Sequence, residues 1–271
     1  LEEHFLVAAW EMRGGGKSYR PDIQPESMTL EQLIRDGHEL TNYLQQGFGK
    51  EKIYLVGDSF GSLLGSRLAQ RFPQDYYAYV GIGQVANTAE SEIISYQWAL
   101  ATAQQRGNVK AVKELEGLGE PVSGSYKSGK AGTHKERKWV REFGGAIHGK
   151  SAMPIFRRLL VQAPIYTVKD VLNYLKAEQF SLRFLWDDVL SVDFFNQLPE
   201  FALPVYICQG AYDYQAAYPV AKRYFEHVIA PKKDFFTFEN SAHATLFEEP
   251  EKFLQVMLEI DAETRQAASL T

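Results

Sequence analysis

The sequence predicts an α/β protein: a mostly parallel sheet flanked by helices and interrupted by an inserted helical block. Three observations predict it. Short apolar runs of strand length alternate with amphipathic helical stretches through the first 86 residues. Strand signals then vanish between Asn87 and about Leu198. After Leu198 they return, again alternating with helices. The chain thus divides into a first core segment (1–86), a helical insertion that would cap it (87–198) and a second core segment (199–271).

Taken in order, Phe5 to Trp10 is apolar throughout and reads as a strand buried on both faces. Glu11-Met12-Arg13-Gly14-Gly15-Gly16-Lys17-Ser18 follows. It has the look of a phosphate-binding loop, but that motif needs a glycine five positions before Gly16, where Glu11 stands. The stretch reads as a turn at the rim of a cleft. Thr29 to Gln46 is a helix, with Thr29 and Gln32 spaced as a capping box, an apolar stripe from Leu30 to Leu44, and Gly47 and Gly49 as stops. Ile53 to Val56 is a strand, followed by a helix that Pro73 stops. Tyr77 to Val85 contains another buried strand.

In the insertion, Ser91–Gln105, Val109–Leu118, Lys135–Phe143 and Val168–Phe180 carry helical patterns, and Gly119 to Gly132 reads as an exposed loop. Aromatic residues populate it: Trp98, Trp139, Tyr166, Tyr174, Phe180, Phe184 and Trp186. Most belong to a core; some would line an apolar ligand pocket. Beyond it, Pro204 to Gly210 and Phe235 to Glu239 are strands, with a helix near Pro219 to His227 between them. Pro250 opens the last helix, where its missing N–H costs nothing.

The chemistry is concentrated at Gly57-Asp58-Ser59-Phe60-Gly61, a Gly-x-Ser-x-Gly between an apolar strand and a helix. A sharp turn there would hold Ser59 clear of the sheet, with Gly57 and Gly61 relieving crowding between strand and helix. The Phe60 amide would face a developing oxyanion. Asp213 and His243 follow the last two strands, giving the order Ser, Asp, His. Taken alone, Asp213 reads as a turn or cap residue and His243 as a surface histidine. Together, at strand ends where open parallel sheets collect function, they read as nucleophile, orienting acid and base. Asp187, Asp188 and Asp193 rival Asp213 but follow no buried strand. Cys208, the single cysteine, lies mid-strand and reads as a small buried hydrophobe. His4, His38, His134, His148 and His227 lack such a context, and no spacing suggests a metal site.

Composition excludes several classes. A net charge of -5, with no basic stripe, argues against nucleic acid. No apolar run approaches the ~20 residues that span a bilayer, and one cysteine rules out an intrachain disulfide framework. The single cysteine fits a reducing, cytoplasmic compartment, and no metal is expected. Composition leaves the oligomeric state open.

Gly57-Asp58-Ser59-Phe60-Gly61, Arg13-Gly14-Gly15-Gly16-Lys17-Ser18 and Glu239-Asn240-Ser241-Ala242-His243 resemble the α/β-hydrolase superfamily, and within it the proline iminopeptidase-like serine hydrolases. The resemblance covers nearly the whole chain. It implies an α/β-hydrolase fold, no cofactor, a small-molecule or short-peptide substrate as the partner, and a Ser59–His243–Asp213 triad that cleaves amides or esters through an acyl-enzyme, most simply as an aminopeptidase. A carboxylesterase-like hydrolase is the alternative within the class. The family usually has Asp-Gln-Arg-Gly where Glu11-Met12-Arg13-Gly14 stands, His or Gly in place of Asp58, and often Trp in place of Phe60. Family domains also begin with further strands and a His-Gly-Gly-type loop that supplies a second oxyanion donor. The expectation is that this chain is the larger part of a longer domain, with an inactive fragment or binding module as the reading from a different class.

Overall fold

In the computed structural model the described residues are 1–152, 154–155 and 166–268. By its contacts the chain divides into two units: Leu1–Glu51 with Ile155–Asp188, and Lys52–Pro154 with Val189–Thr271.

The second unit carries the sheet. Four strands, β1 (Ile53–Asp58), β2 (Tyr76–Ile82), β3 (Val205–Gly210) and β4 (Lys233–Phe238), lie side by side in that order. Every pairing is parallel. Parallel neighbours need a crossover, and each connection supplies one. Helix α2 (Phe60–Arg71) joins β1 to β2, and α8 (Tyr218–His227) joins β3 to β4. The register sets Asp58 opposite Ile82, Ile82 opposite Cys208, and Gly210 opposite Phe238. β1 and β2 therefore end level with each other, and β3 and β4 run two residues further at the same edge of the sheet. β2 and β3 are central and almost wholly buried, as their apolar runs require. β1 is an edge strand, with Val56 41% exposed. Helix α9 (Pro250–Ala268) opens on Pro250 as expected, and Tyr54 of β1 donates to Asp261 on it at 2.9 Å.

Helices α3 (Thr88–Gln105), α4 (Val109–Leu118) and α5 (Lys130–Phe143) also belong to this unit. Asn87 caps α3 and Asn108 caps α4, each side chain accepting from an amide three residues on. The three helices share a core of Tyr96, Ala99, Leu115, Tyr126, Trp139 and Phe143. Tyr126 lies in the stretch expected as an exposed loop, yet its ring is buried while Val122 is 74% exposed. A turn closed by the Val122–Ser125 pairing folds the tyrosine inward.

The first unit holds α1 (Leu30–Phe48) and most of α6 (Val168–Leu190). Thr29 caps α1 by accepting from the Gln32 amide at 3.1 Å. Gly49, at φ 60°, ends it in the left-handed conformation that glycine adopts without a Cβ penalty. The glycine-rich loop is filled by its own glutamate: the Glu11 carboxylate accepts from the Lys17 amide and from the Tyr166 hydroxyl. The anion that occupies this loop is a side chain, in keeping with the failed phosphate spacing.

One expected element is absent. Phe5–Trp10 forms no strand, and Leu6, Val7 and Trp10 are 68%, 47% and 37% exposed. An apolar run supplies burial, but a strand exists only by a hydrogen-bonded ladder. Among the described residues this run has none. Strands are likewise absent from the described residues between Asn87 and Leu198; 153 and 156–165 in that stretch lie outside them.

The close passage of β3 under the loop after β4 is testable. A Cβ at Gly210 would stand 1.9 Å from the Ala242 carbonyl oxygen, a backbone atom that cannot yield alone. Gly210→Ala should lose about 1–3 kcal/mol or more in urea denaturation, the usual cost of overpacking. Gly47→Ala, where an added carbon meets nothing within 4 Å inside α1, should instead gain roughly 0.5–1 kcal/mol.

Candidate active site

Ser59 stands between β1 and α2 at φ 54° and ψ −117°. A non-glycine residue at positive φ is strained, and the surroundings must hold it there. They do so from both sides. The Ser59 amide donates to the Ile82 carbonyl at 2.9 Å, continuing the sheet ladder. Its carbonyl accepts from the Ser62 amide at 2.8 Å and from the Ser62 hydroxyl at 2.6 Å.

Of the two motif glycines, one meets expectation and one does not. A Cβ at Gly57 would meet the Gly61 carbonyl oxygen at 2.4 Å, so Gly57 is required for the close approach of strand and helix. One at Gly61 meets nothing within 4 Å. Gly65 takes the second role, since its Cβ would lie 2.8 Å from the Tyr79 ring. Phe60 is the first residue of α2, where helix amides lack intrahelical acceptors.

The three residues expected to act together do meet. His243 Nε2 lies 2.7 Å from Ser59 Oγ, and His243 Nδ1 lies 2.8 Å from Asp213 Oδ2. Asp213 is fully buried and His243 nearly so, with 13% of its side chain exposed. The tautomer follows from Asp213. Its Oδ1 accepts from the amides of Gln215 at 2.8 Å and Ala216 at 2.9 Å. Its Oδ2 accepts from Gln209 Nε2 at 2.8 Å. A carboxylate is acceptor-only, so the fourth partner, Nδ1, carries its hydrogen toward Asp213. Nε2 is then the acceptor, and the Ser59 hydroxyl donates to it. Such a line can draw a proton from a hydroxyl and stabilise the imidazolium that results.

Burial alone would lower the His243 pKa. The Asp213 charge and hydrogen bond, with a smaller contribution from Asp58, outweigh burial and Arg137, and the net shift is upward.

The rivals fall away. Asp193 precedes a short helix, α7 (Phe194–Gln197), and accepts from Asn196; Asp187 and Asp188 lie on α6. Cys208 is wholly buried in β3, which pushes its thiol up and away from the reactive thiolate form. Among the described residues no group of three or more His, Cys, Asp or Glu is placed to hold a metal, and no helix is long and apolar enough to cross a membrane.

Several neighbours escaped the sequence reading. Gly83, at φ 52°, packs so tightly that a Cβ would lie 2.8 Å from the His243 ring. Glu248 accepts from the amides of Ala242 at 2.9 Å and His148 at 2.6 Å; Glu249 accepts from the Asn240 amide and the Ser241 hydroxyl. The Ala146 carbonyl, just beyond α5, accepts from the amides of His243 and Ala244, both at 3.1 Å. Trp98 stacks on Tyr214 with centroids 4.1 Å apart, and His148 on Tyr212 at 3.7 Å. Arg137 pairs with buried Glu92 and Glu136 and reaches the Tyr214 carbonyl at 3.4 Å. A polar residue inside an otherwise apolar strand, as Gln209 is in β3, was the one sequence signal for this shell.

The chain matches the family described as alpha/beta hydrolase fold over residues 1–250. It is 30% identical over 260 residues to a probable aminopeptidase, YbaC of Bacillus subtilis (strain 168), covering 95% of this chain and 80% of that one. It is 25% identical over 255 residues to a proline iminopeptidase of Heyndrickxia coagulans, covering 93% and 79%. The crystal structure of a Mycobacterium smegmatis proline iminopeptidase shares the fold, with a TM-score of 0.59, 16% identity and coverage of 92% and 77%. The chain belongs to the alpha/beta hydrolase fold family. Within that family it is proline iminopeptidase-like.

The electrostatics give a direct test. By NMR, His243 should titrate above its ordinary 6.5. Below about 6.5 its protonation favours the folded state, and that contribution is lost as pH rises through the raised folded value. In Asp213→Asn burial should dominate and the titration should fall below 6.5. An unmoved midpoint in that variant would exclude Asp213 as the source of the shift.

Proposed function

We propose that this chain is a serine hydrolase that cleaves an amide or ester through an acyl-enzyme, acting as an aminopeptidase. The observation that carries the reading is the hydrogen-bonded line Ser59–His243–Asp213 on a strained strand-to-helix turn. Ser59 Oγ attacks the substrate carbonyl carbon as its proton passes to His243 Nε2. The carbonyl oxygen becomes an oxyanion beside the Phe60 amide. Asp213 stabilises the imidazolium, which then protonates the leaving amine or alkoxide. Water repeats the sequence on the acyl-Ser59 ester, giving the acid and restoring the serine. No cofactor enters these steps. The aminopeptidase assignment draws its support from the names of the relatives, and the single buried cysteine supports a cytoplasmic setting.

We further propose that the helical stretch 87–198 caps the site and selects substrate. The Trp98–Tyr214 stack and the Ala146 carbonyl under the His243 loop support this for α3 and α5.

Ser59→Ala should abolish labelling by a fluorophosphonate and lower turnover of aminoacyl amides by several orders of magnitude. Retained turnover would sink the assignment. The acid limb of wild-type kcat/KM should have its midpoint above 6.5, since only unprotonated His243 accepts the proton. In a panel of aminoacyl amides and short-chain esters, amides should lead; ester preference would favour the esterase reading. Trp98→Phe should change the rate ratio between small and bulky aminoacyl amides by about tenfold, within the range that pocket contacts discriminate. An unchanged ratio would remove the cap from specificity.

A further inference from the structure

We propose that Gln209 is a positioning residue: its buried side-chain amide, oriented by the main chain at Gln84, holds the Asp213 carboxylate in place for His243 and ties it to the turn that carries Ser59. This rests on the hydrolase reading above.

Gln209 is wholly buried in β3, where a side-chain amide is costly unless every group is bonded. Every group is. Nε2 donates to Asp213 Oδ2 at 2.8 Å and to the Ala216 carbonyl at 2.7 Å. Oε1 accepts from the Gln84 amide at 2.8 Å. These partners settle which end of the amide is which. A main-chain N–H can only donate, while a carboxylate and a carbonyl can only accept. A flipped amide would lose all three bonds.

Origin distinguishes this donor from the others on Asp213. The two amides on Oδ1 come from Gln215 and Ala216, inside the turn that Asp213 itself opens, and they move with it. Gln209 donates from the strand, so it references the carboxylate to the sheet. The chain of bonds continues. Gln84 Nε2 donates to the Val85 carbonyl at 2.7 Å, the Val85 amide to Ser62 Oγ at 2.9 Å, and Ser62 Oγ to the Ser59 carbonyl at 2.6 Å. On its far side, Tyr79 OH lies 2.8 Å from Gln84 Oε1. Acid and strained turn are thus joined beneath His243 by buried polar groups, independently of the imidazole. Tyr79 is the titratable group beside this path, and around its Asp213 end stand His243, Asp58, Glu248 and Arg137.

Two variants test it. Gln209→Leu keeps the bulk and removes the donor. Its kcat should fall about tenfold or more, the scale of one charge-assisted hydrogen bond, with KM within twofold. Its His243 should titrate at higher pH than wild type, because Asp213 loses a competing donor. Gln209→Glu keeps the shape. Protonated, the introduced carboxyl can donate to Asp213; ionised, it sets a second negative charge against it. Turnover should stay near wild type at the acidic end of the plateau and fall as pH rises, a limb that wild type lacks. A Gln209→Glu profile parallel to wild type would overturn the proposal. So would a Gln209→Leu that lowers Tm but leaves kcat and the His243 titration unchanged. If Gln209→Leu does not fold, Gln209→Glu decides. The NMR titration needs no substrate, so it still decides the positioning claim if Ser59→Ala shows the hydrolase reading to be wrong.

Discussion

The parallel ladder that brings the carboxyl ends of four strands to one edge of the sheet is the constraint on which the site depends. Ser59, Gly83, Asp213 and His243 each follow a different strand, and none is near another in sequence. Only the register brings them within hydrogen-bond reach. The Ser59 amide on the Ile82 carbonyl and the Gly83 amide on the Cys208 carbonyl extend that ladder past the strand ends. The strained turn is an outgrowth of the sheet, and the stiffness of the sheet keeps a serine at positive φ.

Two buried polar systems flank this frame and differ in kind. Beneath the site, Ser62, Ser66, Gln84, Gln209 and Asp213 are all buried and all hydrogen-bonded. A fully satisfied network of this sort rigidifies what it touches. In the helical stretch, Arg137 sits between Glu92 and Glu136, and burial pushes Glu136 up to about 7 despite the guanidinium. One oxygen of each glutamate is buried without a hydrogen-bond partner. Buried pairs of this type add little net stability, because the cost of taking the charges out of water offsets their attraction.

The parts of the site that were legible in the sequence are those with local signatures. Gly57-Asp58-Ser59-Phe60-Gly61 carries its own strand and helix, and Asp213 and His243 end runs that read plainly as strands. What was illegible depends on partners distant in sequence. Phe5–Trp10 is as apolar as β2, but only pairing turns such a run into a strand. Gly61 looked more confined than Gly65 because the motif names it. The crowding at Gly65 comes from Tyr79 on the next strand. Gln209 has no role legible in the sequence, since nothing local announces that three partners from two other segments would meet it.

The Ala146 carbonyl has a consequence for how this protein can change. Helical blocks inserted into a sheet are often treated as cassettes, exchangeable while the frame beneath stays constant. Here the main chain leaving α5 is also the ledge on which the His243 loop rests, through the Ala146 carbonyl and the Gly145 carbonyl that receives the Tyr214 amide. A foreign block grafted in at Asn87 would have to reproduce those two carbonyls at the same height or leave two loops unsupported. The boundary of the exchangeable part therefore falls at Phe143, ahead of the glycine-rich exit. Residues 144–150 are inherited with the frame, although the sequence places them deep inside the insert.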